Sequence, residues 1–406
     1  MADAQLTEID KMKNIKITDV RAFVLDQTES GGDYHDREKG HYLVDTLIAT
    51  PMSSYTEYKI SRISFGINVM KSIVVEVEAS DGTVGISAGQ GGEPACYMIE
   101  KHFKRFLIGQ DPRQLNQFWD QMYRASLYYG VKGVPLWAIS TVDIALWDLL
   151  GLLRQEPVYQ MIGGKTRDQI ELYCTGIRPD IAQKAGFIGG KMPLTHGPSD
   201  RRDGLKANVK QFQEMRERVG PDFLLMADCW MALDVTYATE LAYAMRDLDL
   251  YWMEEVLHPD DFDGHKELKD RVPWMRWTTG EHQYTRYGFR ELIKSRSVDI
   301  LQPDVMWCGG LTELLRISAM AAAYDIPVVP HGSGAYSYHF VVTQPHCPFC
   351  EYLNTSPDCK SFPPVFGKMF INEQVPVNGK IFPSDDPGWG LKLNRESLNL
   401  IRPYIV

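Results

Sequence analysis

The chain has 406 residues, which is too long for one small domain and predicts two or three structural parts. Its residues are 44% hydrophobic and 24% charged, as in an ordinary globular protein. Its formal net charge of -10 argues against a nucleic-acid partner, which would need a basic face to neutralise phosphates. An anionic ligand would therefore have to be attracted by local positive charge, such as a metal ion.

The N-terminal residues and the most apolar stretch of the sequence predict neither export nor a membrane anchor. Residues 1–17 carry acidic side chains and lack the apolar core of a secretory signal. Residues 134–153 are the most apolar, but Asp143 and Asp148 interrupt them, which predicts a buried helix and no membrane anchor. Seven cysteines without an export signal fit free thiols, and we predict a cytoplasmic protein.

The first part of the chain has the pattern of an α+β unit. Residues 15–25 and 72–79 alternate like strands, and the second stretch leads into a tight turn at residues 81–82. Residues 112–123 have helical periodicity, whereas the polar residues 29–59 predict a long loop. We predict an N-terminal α+β capping domain over residues 1–140, whose loop covers the site as a lid.

The rest of the chain alternates between short strands and helices. The helical stretches include one with Phe212, Met215 and Val219 on a single face. Eight strands in about 200 residues favour an (α/β)8 barrel, a modified TIM barrel, over a doubly wound sheet. We predict the barrel over residues 141–379 and a C-terminal segment, residues 380–406, that packs back on the capping domain. The predicted strands are residues 170–176, 186–192, 224–230, 250–256, 275–281, 299–305, 326–332 and 350–353.

Three consecutive predicted strands carry a carboxylate at or close to the carboxyl end: Asp228, Glu254 and Glu281. Because the carboxyl ends of barrel strands meet at one rim, the three should converge, and oxygen ligands without Cys or His suit Mg²⁺. A single acidic residue after a strand more often caps the next helix, but three in register form a much rarer pattern. Glu255 competes with Glu254 for the ligand role, since neighbouring strand residues face opposite ways and only one can point inward.

Asp304, His331 and Glu351 follow at the sixth, seventh and eighth predicted strands. An adjacent Asp304 can fix the tautomer of His331 and raise its basicity, which makes the imidazole a competent general base. In an anion-filled site we expect the pKa of Glu351 to rise, so that it donates a hydrogen bond to a developing oxyanion. The alternative interpretations are a core histidine that donates to a backbone carbonyl and a solvated surface glutamate.

With these six residues the chain resembles the mandelate racemase branch of the enolase superfamily. Residues 143–149 also look like the helix that opens the barrel in that branch. Within the branch, the chain is similar to the acid-sugar dehydratases that act on L-rhamnonate. The stretches that carry this resemblance are GGDYH (31–35), IATPMS (48–53), SFGINV (64–69), GFIGGKMP (186–193), CGGLT (308–312), TSPDC (355–359) and PVNG (376–379).

The resemblance implies a metal site. It implies that Mg²⁺ is held by Asp228, Glu254 and Glu281, and it therefore favours Glu254 over Glu255.

The resemblance also implies a catalytic and a substrate-binding set. His331 is expected to be the general base with Asp304 behind it, and Glu351 the electrostatic stabiliser. His35 and Arg62, both in the N-terminal part, match positions that contact the substrate in this family.

One departure from the branch concerns the second predicted strand. Racemases and cycloisomerases of the branch carry a Lys-x-Lys pair there, whereas this chain has the single Lys191. A racemase needs a base on each face of the carbon, so the sequence favours elimination. Lys191 then either steadies the substrate or is a structural residue. Both His331 and His282, beside Glu281, are possible acids for the departing hydroxyl.

The predicted reaction is dehydration of a six-carbon aldonate, most specifically of L-rhamnonate to 2-keto-3-deoxy-L-rhamnonate. The alternatives are a dehydratase of another aldonate, such as L-mannonate or L-lyxonate, and an acid-sugar racemase. A non-catalytic binding relative is the alternative from a different class. The resemblance also implies a homo-oligomer, and the expected ligand is a small-molecule aldonate.

Overall fold

The computed structural model describes residues 14–25, 46–59 and 70–405. The predicted substrate contacts His35 and Arg62 lie outside the described residues, so their roles stay predictions.

Strands and helices alternate through most of the described chain. In chain order the strands are β1 (Ile17–Leu25), β2 (Ser72–Ala79), β3 (Val84–Gln90), β4 (Ile170–Thr175), β5 (Gly189–Pro193), β6 (Leu224–Asp228), β7 (Trp252–Glu254), β8 (Trp277–Thr279), β9 (Ile300–Leu301), β10 (Cys350–Leu353), β11 (Lys380–Ile381) and β12 (Leu400–Ile401). The α-helices are α1 (Gly92–Met98), α2 (Lys104–Leu107), α3 (Leu115–Ser126), α4 (Val134–Arg154), α5 (Val158–Met161), α6 (Pro179–Lys184), α7 (Arg201–Val219), α8 (Val235–Ala244), α9 (Phe262–Arg271), α10 (Thr285–Ser295), α11 (Gly310–Ala322) and α12 (Ala335–Val341).

The N-terminal unit is a four-stranded antiparallel sheet in the order β12-β1-β2-β3. Ala22 of β1 lies opposite Val75 of β2, and Val24 of β1 lies opposite Ile401 of β12. The last strand of the chain therefore completes the sheet that the first strand begins. The domain boundaries at residues 140 and 379 remain predictions, and α4 runs across the first of them.

The second sheet is a parallel barrel whose strands follow the order β10-β4-β5-β6-β7-β8-β9. The last of these strands in the chain, β10, therefore lies beside the first, β4. The predicted strand at residues 326–332 is wrong as a strand, because it forms only an isolated bridge between Leu301 and Val328. Pro327 and Pro330 flank this bridge, and neither has a backbone N–H with which to extend a ladder. The segment still lies beside β9, since the Val329 N–H donates to the Leu301 carbonyl at 2.9 Å.

Helix α4 is the central core helix, as its sequence predicts. It is long and apolar enough to cross a membrane, but 78% of its most apolar window is buried inside the fold. Its two acidic residues are buried as well and accept backbone N–H groups. Asp143 accepts from Thr312 at 2.9 Å, and Asp148 accepts from Ile86 at 2.8 Å and from Trp389 at 2.9 Å. These contacts join the helix to the first sheet, to the barrel and to the C-terminal segment.

Residues 46–59, the described part of the predicted loop, lie on the barrel beyond β5. They contain two 3-10 helices, Pro51–Ser54 and Thr56–Tyr58. The Ala49 N–H donates to the Leu194 carbonyl at 2.9 Å, and Lys59 pairs with Asp200 at 2.6 Å. This part of the loop is therefore attached to the barrel next to the strand that carries Lys191.

The buried imidazole of His339, on α12, should make the fold sensitive to acid. Burial lowers the pKa of His339 to about 3, and its Nδ1 accepts the Tyr159 N–H at 3.3 Å. In the unfolded chain the His339 imidazole binds a proton more readily than in the folded protein. The neutral imidazole therefore stabilises the fold fully above pH 6.5, and this stabilisation is lost as the pH falls toward 3. As the pH falls from about 7.5 to 5, the His339 imidazole should lower the free energy of unfolding by about 2 kcal/mol. Urea denaturation at the two pH values measures this change. The variant His339→Asn should lack that part of the pH dependence, and an equal slope in both proteins would contradict the assignment.

Candidate active site

The predicted carboxylates meet at the carboxyl rim of the barrel. Asp228 and Glu254 are the last residues of β6 and β7 and lie opposite each other in the parallel register. Glu281 follows β8 by two residues and is buried. The spacing of one strand and one helix per carboxylate thus places all three side chains at one end of the barrel.

Lys191 of β5 lies among these carboxylates and is 1% exposed. Its ammonium group contacts Glu254, lies 3.0 Å from Glu351 Oε1 and lies 3.5 Å from Asp228 Oδ2. An ammonium group has three N–H donors, and here three carboxylates surround it. This arrangement favours a role for Lys191 among the carboxylates over the predicted contact with substrate.

Glu255 departs from the alternation of a regular strand. Its φ of +46° is left-handed, and it follows directly on the last residue of β7. Its carboxylate Oε2 lies 2.9 Å from His282 Nδ1, while Glu254 contacts Lys191 and Gln302. The expectation that only one of the two glutamates points inward was therefore wrong, because alternation holds only while the backbone stays extended. A left-handed non-glycine residue costs about 1–3 kcal/mol, and such strain is concentrated at functional sites.

Two candidate sets of metal ligands share Glu281. Within the described residues, the carboxylates of Glu255 and Glu281 and the imidazole of His282 have ligand atoms that all lie within 4.8 Å of one another. Asp228 and Glu254 are outside this group and face the ammonium group of β5. The set Asp228, Glu254 and Glu281 offers only oxygen atoms, which suits Mg²⁺, whereas an imidazole nitrogen suits a transition metal.

The charge at the rim fits a divalent cation. Burial raises the pKa of Asp228 and raises that of Glu254 well above its usual range. Burial also raises the pKa of Glu281 to about 7, and the neighbouring charge of Glu255 adds to this effect. Buried carboxylates that repel one another are stabilised when a cation lies between them. The residues present therefore fit the metal that the sequence predicts, although the choice of ligands stays a prediction.

His331 and Asp304 form the predicted pair. His331 Nδ1 lies 2.6 Å from Asp304 Oδ2, and the other oxygen of Asp304 accepts the Ser333 hydroxyl and the Met306 N–H, each at 2.7 Å. His331 Nε2 lies 3.5 Å from Glu281 Oε2. A hydrogen bond from Nδ1 to Asp304 leaves Nε2 as the nitrogen that faces the carboxylate rim. Although burial lowers it, the nearby carboxylates raise the pKa of His331 well above its ordinary value.

A second imidazole–carboxylate pair, His282 with Glu255, lies beside the first. Although burial lowers it, the charge of Glu255 raises the pKa of His282 to about 9. The buried ring of Trp307 lies between the pairs, with its centroid 5.3 Å from each of the His282 and His331 rings. Sequence reasoning missed Trp307 as a site residue and gave Glu255 only a rival ligand role. A tryptophan three positions after Asp304 is equally typical of the core, so no sequence signal identified it.

Glu351 lies in β10, one strand away from β5 across β4. It accepts the Gly332 N–H at 2.7 Å and the Thr175 hydroxyl, and it pairs with Lys191. Burial alone would raise its pKa, but the charges of Lys191 and His331 lower the pKa of Glu351 to about 2. The expectation of a raised pKa was therefore wrong: Glu351 is an ionised carboxylate that accepts hydrogen bonds.

The fold and this rim of acidic and basic residues define a class of barrel enzymes. Residues 180–397 match the family described as "Enolase C-terminal domain-like", and residues 45–163 match "Mandelate racemase / muconate lactonizing enzyme, N-terminal domain". The first match alone spans more than half of the chain, and the chain belongs to the enolase superfamily. The predicted fold class, a modified TIM barrel with an N-terminal α+β cap, is confirmed.

Within the superfamily the chain is similar to L-rhamnonate dehydratases. It is 52% identical over 391 residues to L-rhamnonate dehydratase of Saccharopolyspora erythraea, a match that covers 96% of this chain and 99% of that protein. The crystal structure of L-rhamnonate dehydratase from Gibberella zeae matches with a TM-score of 0.90 at 52% identity, covering 95% of this chain and 96% of the other. A structure of rhamnonate dehydratase from the same organism complexed with Mg matches with a TM-score of 0.91 at 53% identity and the same coverage.

Proposed function

We propose that the chain is a Mg²⁺-dependent dehydratase that converts L-rhamnonate to 2-keto-3-deoxy-L-rhamnonate. The observation that carries the proposal is the His331–Asp304 pair, whose second ring nitrogen, Nε2, lies 3.5 Å from Glu281 at the carboxylate rim. Removal of a proton from the carbon next to a carboxylate needs a base that lies beside a metal site. The 52% identity to L-rhamnonate dehydratase over 96% of the chain supports this substrate.

The proposed metal ligands are Asp228, Glu254 and Glu281, and the rhamnonate dehydratase complexed with Mg supports the choice of ion. When bound, Mg²⁺ would polarise the substrate carboxylate and stabilise the enediolate that forms on loss of the C2 proton. Around it, the protein supplies oxygen ligands on two neighbouring strands, β6 and β7, and just beyond β8.

His331 takes the C2 proton on Nε2. Asp304 holds the opposite nitrogen at 2.6 Å, so it fixes the tautomer and stabilises the imidazolium as it forms. The C3–O bond then breaks, and the hydroxyl leaves as water with a proton from His331 or from His282. The enol that remains tautomerises to the 2-keto-3-deoxy acid.

Glu351 keeps its proposed role as electrostatic stabiliser, but in a revised form. Because it is ionised, it cannot donate a hydrogen bond to an oxyanion; it instead holds the Lys191 ammonium at 3.0 Å inside the site. The positive charge of Lys191 is thereby held among the rim carboxylates, next to the proposed metal ligands Asp228 and Glu254. His35 and Arg62 are proposed as the contacts to the sugar hydroxyls or carboxylate.

The His282–Glu255 pair favours a second candidate function, racemisation of an acid sugar. A racemase needs two proton carriers, one on each face of the carbon, and this pair is a second candidate carrier beside His331 at the rim. Dehydration remains the preferred function, since the relatives matched over nearly the whole chain are dehydratases.

A panel of acid sugars tests the substrate assignment. With Mg²⁺ present, L-rhamnonate should give the highest kcat/KM for formation of 2-keto acid, and L-mannonate and L-lyxonate should react more slowly. A product epimeric at C2 without loss of water would identify a racemase. Binding of aldonates without any turnover would identify a non-catalytic relative.

We further propose that the enzyme works in the cytoplasm as a homo-oligomer, without a nucleic-acid or membrane partner. Its net charge of -10 and its seven free, buried cysteines support this setting.

A further inference from the structure

The contacts of Lys191 suggest a property of the metal site that the dehydratase reaction does not require. Lys191 lies in β5, which pairs with β4 on one side and with β6 on the other, and its side chain is almost completely buried. The groups that face its ammonium are the carboxylates of Asp228, Glu254 and Glu351, with the Tyr173 ring centroid at 6.0 Å. A buried ammonium with three carboxylate neighbours is a strong local counter-charge.

Two of these three carboxylates are also proposed metal ligands, so the inference rests on the proposed function. A divalent ion on Asp228 and Glu254 would lie close to the ammonium that contacts the same two side chains. Like charges in a buried site repel strongly, and each cation reduces the stabilisation that the other can gain from the shared carboxylates. The third neighbour, Glu351, is not a proposed ligand and can hold the ammonium whether or not a metal is present.

We propose that Lys191 competes with Mg²⁺ for Asp228 and Glu254 and thereby sets the affinity of the metal site. The two cations are thermodynamically linked, so that whatever Lys191 contributes to the metal-free carboxylates is subtracted from the binding of the ion. A purely structural lysine would have the opposite effect, because its loss would disorder the ligands and weaken binding.

The test is calorimetric titration of Mg²⁺ into enzyme freed of divalent ions by a chelator, at about pH 8.5, where competition from protons is reduced. Lys191→Met should bind Mg²⁺ more tightly than the wild type, by roughly 5- to 150-fold, the usual range of coupling between two ligands. In chelator the same variant should have a lower Tm than the wild type, and saturating Mg²⁺ should raise its Tm by more. Lys269→Met removes an ion pair with Asp299 outside the site and serves as the matched control, with an unchanged Mg²⁺ affinity.

Lys191→Gln keeps two N–H donors for the carboxylates and replaces the Met variant if that protein does not fold. Unchanged or weaker Mg²⁺ binding in a folded Lys191 variant would overturn the competition. Failure of the wild type itself to bind Mg²⁺ would overturn the proposed metal site, and with it the function on which this inference rests. The two failures are thus read from different proteins.

Discussion

His331→Asn should abolish dehydration and exchange of the C2 proton together. Both need the same step, transfer of that proton to Nε2, and no imidazole would remain on Asp304 to accept it. A general base contributes about 10²–10⁴-fold, so kcat should fall by about that factor. Proton NMR in D₂O measures C2 exchange, and a 2-keto acid assay measures dehydration in the same sample.

His282→Asn is the matched control, because its imidazole is also paired with a carboxylate, at 2.9 Å from Glu255. This variant should still exchange the C2 proton. If it exchanges but no longer dehydrates, His282 is the acid for the departing hydroxyl; if it does both, His331 carries both protons. Persistent exchange in His331→Asn would show that another group is the base.

Glu254→Gln should remove Mg²⁺ binding and activity together, whereas Glu255→Gln should keep the metal. Glu254 ends β7 opposite Asp228, so its loss removes one of two adjacent oxygen ligands. Glu255 pairs with His282, which is not a proposed ligand, so we expect its change to lower Mg²⁺ affinity by no more than the roughly 10- to 100-fold typical of indirect partners of a metal site. Titration calorimetry gives the affinities, and activity at saturating Mg²⁺ separates binding from chemistry.

Glu217→Gln, on the exposed face of α7, should leave both properties unchanged and controls for the loss of one negative charge. The reverse pattern would assign the metal to a different set of ligands. If Glu255→Gln loses the ion and Glu254→Gln keeps it, the ligands are Glu255, Glu281 and His282, whose atoms already lie within 4.8 Å of one another.

The barrel and the position of its acidic rim could be predicted because both follow from chain order. In a parallel barrel each strand adds its carboxyl end to the same rim, so regular spacing alone places Asp228, Glu254 and Glu281 together. The same argument placed Asp304 next to His331, and the structure brings these two within 2.6 Å.

Local backbone conformation was less predictable. Pro327 and Pro330 could have argued against a seventh strand, since each removes a donor from the ladder. No comparable sequence feature predicts the left-handed φ of Glu255, because a glutamate does not favour that conformation and the surrounding structure imposes it. That single dihedral angle brings a second carboxylate into the site and pairs it with His282.

The charge state of Glu351 depends on distance across the barrel, which sequence does not give. Glu351 and Lys191 are 160 positions apart in the chain and are brought together because β10 and β5 both flank β4. The lysine at 3.0 Å reverses the effect that burial alone would have on the pKa of the carboxyl. The pKa rise that we expected from the anionic neighbours of Glu351 was wrong because barrel closure also supplies cationic neighbours.

Removal and return of Mg²⁺ test whether this enzyme dehydrates L-rhamnonate by a metal-dependent reaction. Enzyme stripped of divalent ions by a chelator is mixed with L-rhamnonate, and 2-keto-3-deoxy acid is followed before and after Mg²⁺ is restored. The dehydratase assignment predicts no product before Mg²⁺ is added and steady formation afterwards. Equal turnover in both states, or no product at saturating Mg²⁺, would contradict it.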